Sequence, residues 1–324
     1  MHLLVPFASD GSPACQHVLA DLALPHLERL LVAFDAVGRD EGDALSLSPP
    51  HERALAAAWG WSGSDGTLPF AARTAAIDEV LAAPAAGAPP LAWALLTPAH
   101  WQLGRDHVTV IDPAELALDE AESKALFESV RGLLESEGFV ARWGHAGRWY
   151  AARADLDGIA TASLDRVIGR SLDSWLRPPH GDTTGQAATR RLLRRLQSEA
   201  QLVLHEHPVN EAREERGALA VNSFWLSGCG QLQPTNEAAT PTVDASLRRA
   251  LLAGDWAAWA DAWHALDSGA IASLMASAQA GGTAALTLCG ERSAARFATR
   301  QRSPWRRLAS RWQRSEPHRV LAAL

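Results

Sequence analysis

The sequence predicts an α/β fold, with a central mixed sheet flanked by helices and a smaller inserted subdomain. Short apolar runs of strand length alternate with longer segments of helical period along the 324 residues. Two apolar runs flank a Gly-rich turn at 144–147, which predicts a β-hairpin, and a polar loop follows at 177–188. We therefore expect one α/β domain over residues 1–324, and the hairpin and loop hint at a lid-like subdomain inserted around 100–220.

The first quarter of the chain predicts one strand and two helices. An apolar run at 2–7 stops at Ala-Ser-Asp-Gly, which is typical of a buried strand and its turn. Leucines of helical spacing follow, interrupted at Pro25. Residues 38–50 are a polar loop, and Pro50 then opens a second helix that Gly60 ends.

The middle of the chain predicts strands at 91–96 and 107–111 and three helices. Asp119 and Glu122 form a capping box that starts the first helix, and Gly138 ends it. A second helix is predicted at 162–175 and a third at 190–205. Four arginines on the third helix form a basic band, which fits either a solvated face or an anion site.

The last third predicts a strand, two helices, a second strand and a tail helix. The first strand, at 223–226, ends in a small-residue turn at 227–230. The two helices centre on Trp259 and Leu274, and the second strand follows at 284–289. The tail is a basic amphipathic helix with Trp305 and Trp312 on one side, which either docks onto its own domain or binds a protein partner.

Composition excludes several function classes. Hydrophobic residues at 47% and charged residues at 21% are typical of a globular protein, and a net charge of −7 argues against nucleic-acid binding. No apolar run approaches the roughly 20 residues that span a bilayer, so we expect no membrane partner. Three widely spaced Cys and no signal peptide predict reduced thiols and a cytoplasmic location.

The segment 205–230 carries the strongest functional signal. A polar loop with His207, Asn210, Arg213 and Arg216 runs directly into the apolar strand and its Gly-containing turn. Two arginines suit bidentate recognition of phosphate or carboxylate, and a small-residue turn lets backbone approach a ligand closely. The ordinary alternative is that Asn210 and Arg213 only cap and fasten the loop.

This segment resembles the archaeal-type cofactor-independent phosphoglycerate mutases of the alkaline phosphatase superfamily. The matching residues are His207, Asn210, Arg213, Arg216 and Asn222, with Gly228 and Gly230 at the strand end. The resemblance implies an alkaline-phosphatase-like fold and substrate contacts for the first five of these residues. A small anionic metabolite is then the expected ligand.

The resemblance extends to the N-terminal strand, where the family holds metal and a nucleophilic Ser. Asp10 matches the family's metal-binding Asp-Gly turn, but His51 stands in the place of the Ser and Glu52 in the place of the Asp beside it. After residue 230 the chain has none of the Asp-His pairs of the family's second metal set. His100 and His107, with Thr97 and Asp106, are further candidates for a metal or acid–base pair, or for ordinary turn hydrogen bonds.

Taken as a whole, the chain is similar to the bacterial RpfE-type regulatory proteins. The similar stretches are LSPPHERALA, LLTPAHW, LDEAES and VNSFWLSGCG. Three functions follow as hypotheses. The first is a regulatory, metabolite-binding pseudoenzyme on a phosphoglycerate-mutase-like scaffold, for which no cofactor is expected. The second is a phosphoglycerate mutase or phosphohydrolase that uses Mn or Zn at Asp10, His100 and His107 with His51 and Glu52. The third is a protein–protein interaction module that acts through the Trp/Arg tail.

Overall fold

The computed structural model describes residues 1–177, 181–299 and 316–324. The strands are β1 His2–Val5, β2 Asp35–Glu41, β3 Ala92–Ala99, β4 Trp101–Leu103, β5 Val108–Val110, β6 Val140–His145, β7 Arg148–Arg153, β8 Ser223–Gln231, β9 Thr242–Val243, β10 Ala285–Cys289 and β11 Ser293–Ala298. The helices are α1 Pro13–Asp21, α2 Pro25–Ala33, α3 Pro50–Trp59, α4 Phe70–Ile77, α5 Glu120–Ser136, α6 Leu164–Val167, α7 Thr184–His205, α8 Pro208–Glu215, α9 Arg248–Leu252, α10 Trp256–Leu266, α11 Ala272–Gln279 and α12 Pro317–Ala322. Short 3₁₀ helices and one π-helical turn, Asp267–Ile271, also occur along the described ranges.

The chain divides into two compact units. Unit 1 comprises residues 1–60 and 235–324, and unit 2 comprises residues 61–234. Unit 2 thus interrupts unit 1 in sequence, at boundaries other than the 100–220 suggested by the sequence. The lid-like character of the insertion stays a prediction.

Unit 1 contains a five-stranded mixed sheet in the order β2-β11-β10-β1-β9. β1 pairs in parallel with both β10 and β9, whereas β11 is antiparallel to β10 and to β2. Helices α1, α2, α10 and α11 bury their apolar residues against this sheet, and Trp259 and Trp263 lie fully inside that core. The prediction of an α/β fold with a central mixed sheet flanked by helices is confirmed.

Unit 2 contains a four-stranded antiparallel sheet in the order β6-β7-β3-β8 and a separate β4–β5 hairpin. The apolar faces of α5 and α7 share one core with this sheet, which includes Phe127 and Trp149. Alanines of α4 pack with Trp93 and Tyr150 in a second cluster. The predicted β-hairpin is confirmed as β6 and β7, with its turn at Ala146-Gly147.

Four local predictions were wrong, and three of the differences have a clear physical reason. Residues 38–50 were predicted to be a loop, but residues 35–41 form the edge strand β2. This strand is mostly exposed and therefore lacks an apolar alternation. The loop at 208–215 is helix α8, because Pro208 stands at its first position and His207 caps it. The helix at 162–175 is reduced to α6 and a 3₁₀ turn. The turn at 227–230 lies inside β8, where a register shift against β3 accommodates it as a bulge.

His2 makes stability in unit 1 depend on pH. Its ring Nε2 lies 2.8 Å from Thr287 Oγ1, and burial, together with the charge of Arg296, lowers the pKa of His2 from 6.5 to about 4. Because the folded state binds fewer protons than the unfolded chain in this window, the free energy of unfolding falls as pH drops from 6.5 toward 4. We expect His2→Gln to show a smaller loss between these pH values than wild type in urea unfolding.

Other side chains with shifted pKa values also contribute to the dependence of stability on pH. Burial also lowers the pKa of His145 and of His207, so both act in the same direction as His2. Burial raises the pKa values of Asp78 and Asp155, but side-chain hydrogen bonds, those from arginine first, outweigh it and lower both pKa values below 3.8, so the stability that these carboxylates contribute is lost only at still lower pH. Equal acid sensitivity of wild type and His2→Gln would contradict the role assigned to His2.

No helix in the described part of the chain is long and apolar enough to cross a membrane. The predicted tail helix with Trp305 and Trp312 lies outside the described residues.

Candidate functional site

Loop residues predicted to bind an anion begin with His207, the N-cap of α8. The ring Nδ1 of His207 accepts a hydrogen bond from Val209 N at 3.2 Å, so this nitrogen carries no proton. Burial lowers the pKa of His207, which favours the same neutral ring. His207 therefore has a capping role, and its other ring nitrogen is the one left for a ligand.

Asn210 is buried and ties α7 to the segment that precedes β8. Its side-chain amide donates to Leu204 O and to Val221 O, each at 2.8 Å, and its oxygen accepts from Val221 N at 2.8 Å. These three bonds use most of what a buried amide can form. Asn210 therefore fixes the path of the chain into β8.

Arg213 is fully buried, with 0% of its side chain exposed. Nε donates to Leu219 O at 2.8 Å, Nη2 donates to Leu116 O, and Nη1 donates to the Glu122 carboxylate. Each nitrogen of the guanidinium thus has a protein acceptor. Arg213 joins α8 to the start of α5 and to the 3₁₀ turn before it.

Arg216 is the exposed member of the arginine pair. It donates from Nη2 to the second carboxylate oxygen of Glu122, and 49% of its side chain is exposed. Glu122 therefore lies between two guanidinium groups, instead of completing the predicted capping box with Asp119. Asp119 does cap α5, since its carboxylate accepts from Glu122 N at 2.8 Å.

Asn222 and His100 hold two neighbouring segments of unit 2 together. The Asn222 amide accepts from Trp101 N at 2.7 Å and donates to Trp101 O at 2.9 Å. His100 Nδ1 lies 2.8 Å from Ala220 O, and because a carbonyl only accepts, this nitrogen carries the proton. Both side chains therefore anchor backbone, as the alternative of ordinary hydrogen bonding predicts.

His107 lies at the exposed end of the β4–β5 hairpin, where its carbonyl accepts from Gly104 N at 2.9 Å. Asp106 is exposed beside it, whereas Thr97 is buried in β3. His100 stands before β4, at the opposite end of a three-residue strand that spans about 10 Å. The hairpin thus separates His107 from His100.

In unit 1, candidate residues come together where β1 ends. Phe7 follows β1 with φ of +58°, a left-handed conformation that is strained for a bulky residue. The His51 ring, in the first turn of α3 beside Glu52, lies 5.3 Å from the Phe7 ring. The Arg248 guanidinium lies 6.0 Å from the same ring, within cation–π range. Trp259 Nε1 donates to Phe7 O at 3.1 Å and holds this conformation.

Asp10 follows Phe7 by three residues, and its carboxylate stabilises its own turn. It accepts from Ser12 N at 2.8 Å and from Ser12 Oγ at 2.6 Å, which sets up the start of α1. Among the residues that the structure describes, no group of three or more His, Cys, Asp or Glu side chains is arranged to hold a metal ion. The donor set at this strand end therefore does not fit the metal pair that the family resemblance implies.

Sequence reasoning missed Arg248 and Glu122 as members of these clusters. Arg248 meets Phe7 across 241 positions of sequence, and Glu122 meets Arg213 across 91. The local spacing of Glu122 predicted a capping box with Asp119, and Arg248 belongs to no local motif, so neither contact had a signal in the sequence. The sequence does indicate that Arg213 is buried. Arg213 follows Asn210 by three residues, so the two side chains lie on the same face of α8, and both are buried.

No family model matches the chain, and no curated protein matches its sequence. Among solved structures, a cofactor-independent phosphoglycerate mutase from Thermoplasma acidophilum is similar over 92% of this chain and 89% of its own, at 14% identity and a TM-score of 0.38. The PH0037 protein from Pyrococcus horikoshii is similar over 92% of this chain and 87% of its own, at 12% identity and a TM-score of 0.44. Neither similarity bears on activity.

Proposed function

We propose that the protein binds a small phosphorylated or carboxylated metabolite without turning it over, as a regulatory protein on a phosphoglycerate-mutase-like scaffold. The RpfE-type assignment, a bacterial source and a cytoplasmic location are parts of this proposal and rest on the sequence. The observation that carries the proposal is the cluster at the end of β1, where His51 and Arg248 both meet the strained Phe7. The carboxyl ends of parallel strands are the usual place for ligands in α/β sheets.

Each member of this cluster has a distinct task in such a site. The guanidinium of Arg248, placed over the Phe7 ring, supplies positive charge that attracts a phosphate or carboxylate group. His51 lies in the first turn of helix α3, whose N-terminal dipole favours an anion. The backbone of Phe7, held by the hydrogen bond from Trp259, fixes the ring that both side chains contact.

Arg216 marks a second place where the same ligand class would bind. In the loop of unit 2, Asn210, Arg213 and Asn222 are committed to protein hydrogen bonds. Among the predicted binding residues of that segment, Arg216 is exposed and His207 is partly exposed, and they stand at opposite ends of α8. The family resemblance supports this place, whereas the convergence of side chains supports the end of β1.

The test is calorimetric titration of the purified chain with phosphoglycerate and with inorganic phosphate. Arg248→Ala is expected to weaken binding by about tenfold or more, because a hydrogen bond to a charged group contributes roughly 1.5–3 kcal/mol. Arg249→Ala is the matched control, since Arg249 is the exposed neighbour in α9 and should leave affinity unchanged. Weakening by Arg216→Ala instead would place the ligand in the unit 2 loop.

A chelator arm in the same titration addresses catalysis. Phosphoryl transfer is the second candidate function, because His51, which stands in the place of the family's nucleophilic Ser, contacts Phe7 at this strand end. Under the proposal, chelator treatment leaves binding unchanged, and elemental mass spectrometry finds Mn and Zn far below one equivalent. Binding that needs stoichiometric metal, or no binding of either anion, would overturn it. The interaction module built on Trp305 and Trp312 stays a prediction.

A further inference from the structure

His26 and Asp267 form a charged pair inside unit 1 that belongs to none of the sites above. Asp267 opens the π-helical turn after α10, and only 4% of its side chain is exposed. Its carboxylate accepts from Leu27 N at 2.7 Å, from His26 N at 3.1 Å and from the His26 ring Nδ1 at 3.0 Å. One buried carboxylate thus takes three donors from the start of α2.

Two of these bonds have a structural explanation. Helix α2 begins after Leu24, which has no side chain that could cap it, and Pro25 has no N–H. Asp267 therefore supplies from a distant turn the acceptor that an N-cap residue normally provides. The third bond, to the imidazole, adds nothing to this cap and needs its own explanation.

That third bond sets the chemistry of the ring. A carboxylate only accepts, so Nδ1 of His26 carries the proton, and the lone pair lies on Nε2. The same carboxylate stabilises positive charge that develops on the ring when Nε2 forms a bond, which is how an Asp supports a catalytic His. The His26 side chain is 32% exposed, so a reagent can reach the ring.

Two other histidines of unit 1 are placed differently. His2 meets the hydroxyl of Thr287. His318 lies 3.7 Å from Glu316, but both side chains are nearly half exposed, so solvent screens that pair. The pair of His26 and Asp267 also lies at a π-helical turn, a geometry that recurs at functional sites.

We propose that Nε2 of His26 is a phosphoryl acceptor, which makes this residue a modification site of the protein. The co-reactant is an acyl phosphate. The Nε2 lone pair attacks phosphorus, the bond from phosphorus to the acyl oxygen breaks, and a carboxylate leaves with the electron pair. The positive charge on the phosphorylated ring is balanced by Asp267, or is lost when the Nδ1 proton passes to solvent.

The experiment uses the full chain incubated with acetyl phosphate and analysed by intact mass and fragmentation. The expected result is one acid-labile phosphoryl group on His26, formed faster than any on His17 or His264, which are exposed histidines of the same unit. This comparison is internal to the wild-type sample and needs no variant. Equal labelling of the three histidines, or none on His26, would overturn the proposal.

Asp267→Asn is the matched variant, because its amide oxygen can still accept from Leu27 N, the shorter of the two cap bonds, while the charge is gone. Its labelling rate at His26 should fall by about ten- to a hundredfold, the range observed when a metal-ligating His loses its carboxylate partner. His17→Asn should leave that rate unchanged. An Asp267→Asn protein that folds and labels at the wild-type rate would show that the pair only caps α2.

Discussion

Arg213→Ala is expected to lower the free energy of unfolding by about 3–5 kcal/mol, the range for breaking a buried ion pair. The change removes the guanidinium that satisfies Leu116 O and Leu219 O inside unit 2. It also leaves Glu122 without its buried partner, so that the exposed Arg216 has to balance the carboxylate. Urea unfolding followed by tryptophan fluorescence measures this loss.

Arg216→Ala is the matched control, because Arg216 binds the same carboxylate from the exposed side. An exposed ion pair contributes about 0.2–1 kcal/mol, so this variant should stay close to wild type in stability. A similar loss of unfolding free energy in both variants would show that the two arginines contribute equally to stability. A loss below about 1 kcal/mol for Arg213→Ala would contradict its structural role.

This contrast matters for tests of ligand binding in the loop. Loss of binding in an Arg213→Ala/Arg216→Ala double variant would report unfolding as readily as a missing contact. Arg216→Ala alone separates the two explanations, since its guanidinium is exposed and its removal leaves the buried network intact. The sequence suggested that the two arginines bind one anion together. Instead, Arg213 is a buried structural residue and Arg216 is accessible to a ligand.

Periodicity predicted much of the fold, because burial on one face imposes a pattern on neighbouring residues. Strand β1, helix α5 and the β6–β7 hairpin each lie close to where that pattern places them. The edge strand β2 was not predicted, because neither of its faces is buried deeply enough to require apolar residues. Helix α8 escaped because its polar composition is typical of a loop, although Pro208 and the capping His207 mark its start.

The candidate site was less predictable, since its contacts join residues distant in sequence. Asp10, His51 and Glu52 were found through family resemblance, but Arg248 reaches Phe7 only through the packing of α9. The direction of a side chain was equally hidden. Spacing identified Arg213 as notable, but whether its guanidinium faces a ligand or Glu122 depends on the position of α5.

Gly228→Ala carries the second large expected effect, because this glycine faces two independent constraints. Its φ is +67°, and a Cβ there would lie 2.8 Å from Ala71 N, a backbone atom of α4. The left-handed conformation costs about 1–2 kcal/mol and the overpacking about 1–3 kcal/mol more. We expect the free energy of unfolding to fall by about 3 kcal/mol in urea unfolding.

Gly217→Ala separates the two constraints. Gly217 has a similar φ of +74° but nothing within 4 Å of its Cβ position, so only the conformational cost of about 1–2 kcal/mol applies. A clearly larger loss of unfolding free energy at Gly228 would show that β8 needs a small residue where the first turn of α4 packs against it. Equal losses would instead leave the space beside Gly228 open to a ligand, which is how the Gly-x-Gly spacing was interpreted from the sequence. The difference between these two alanines therefore decides whether the resemblance at this strand reports packing or binding.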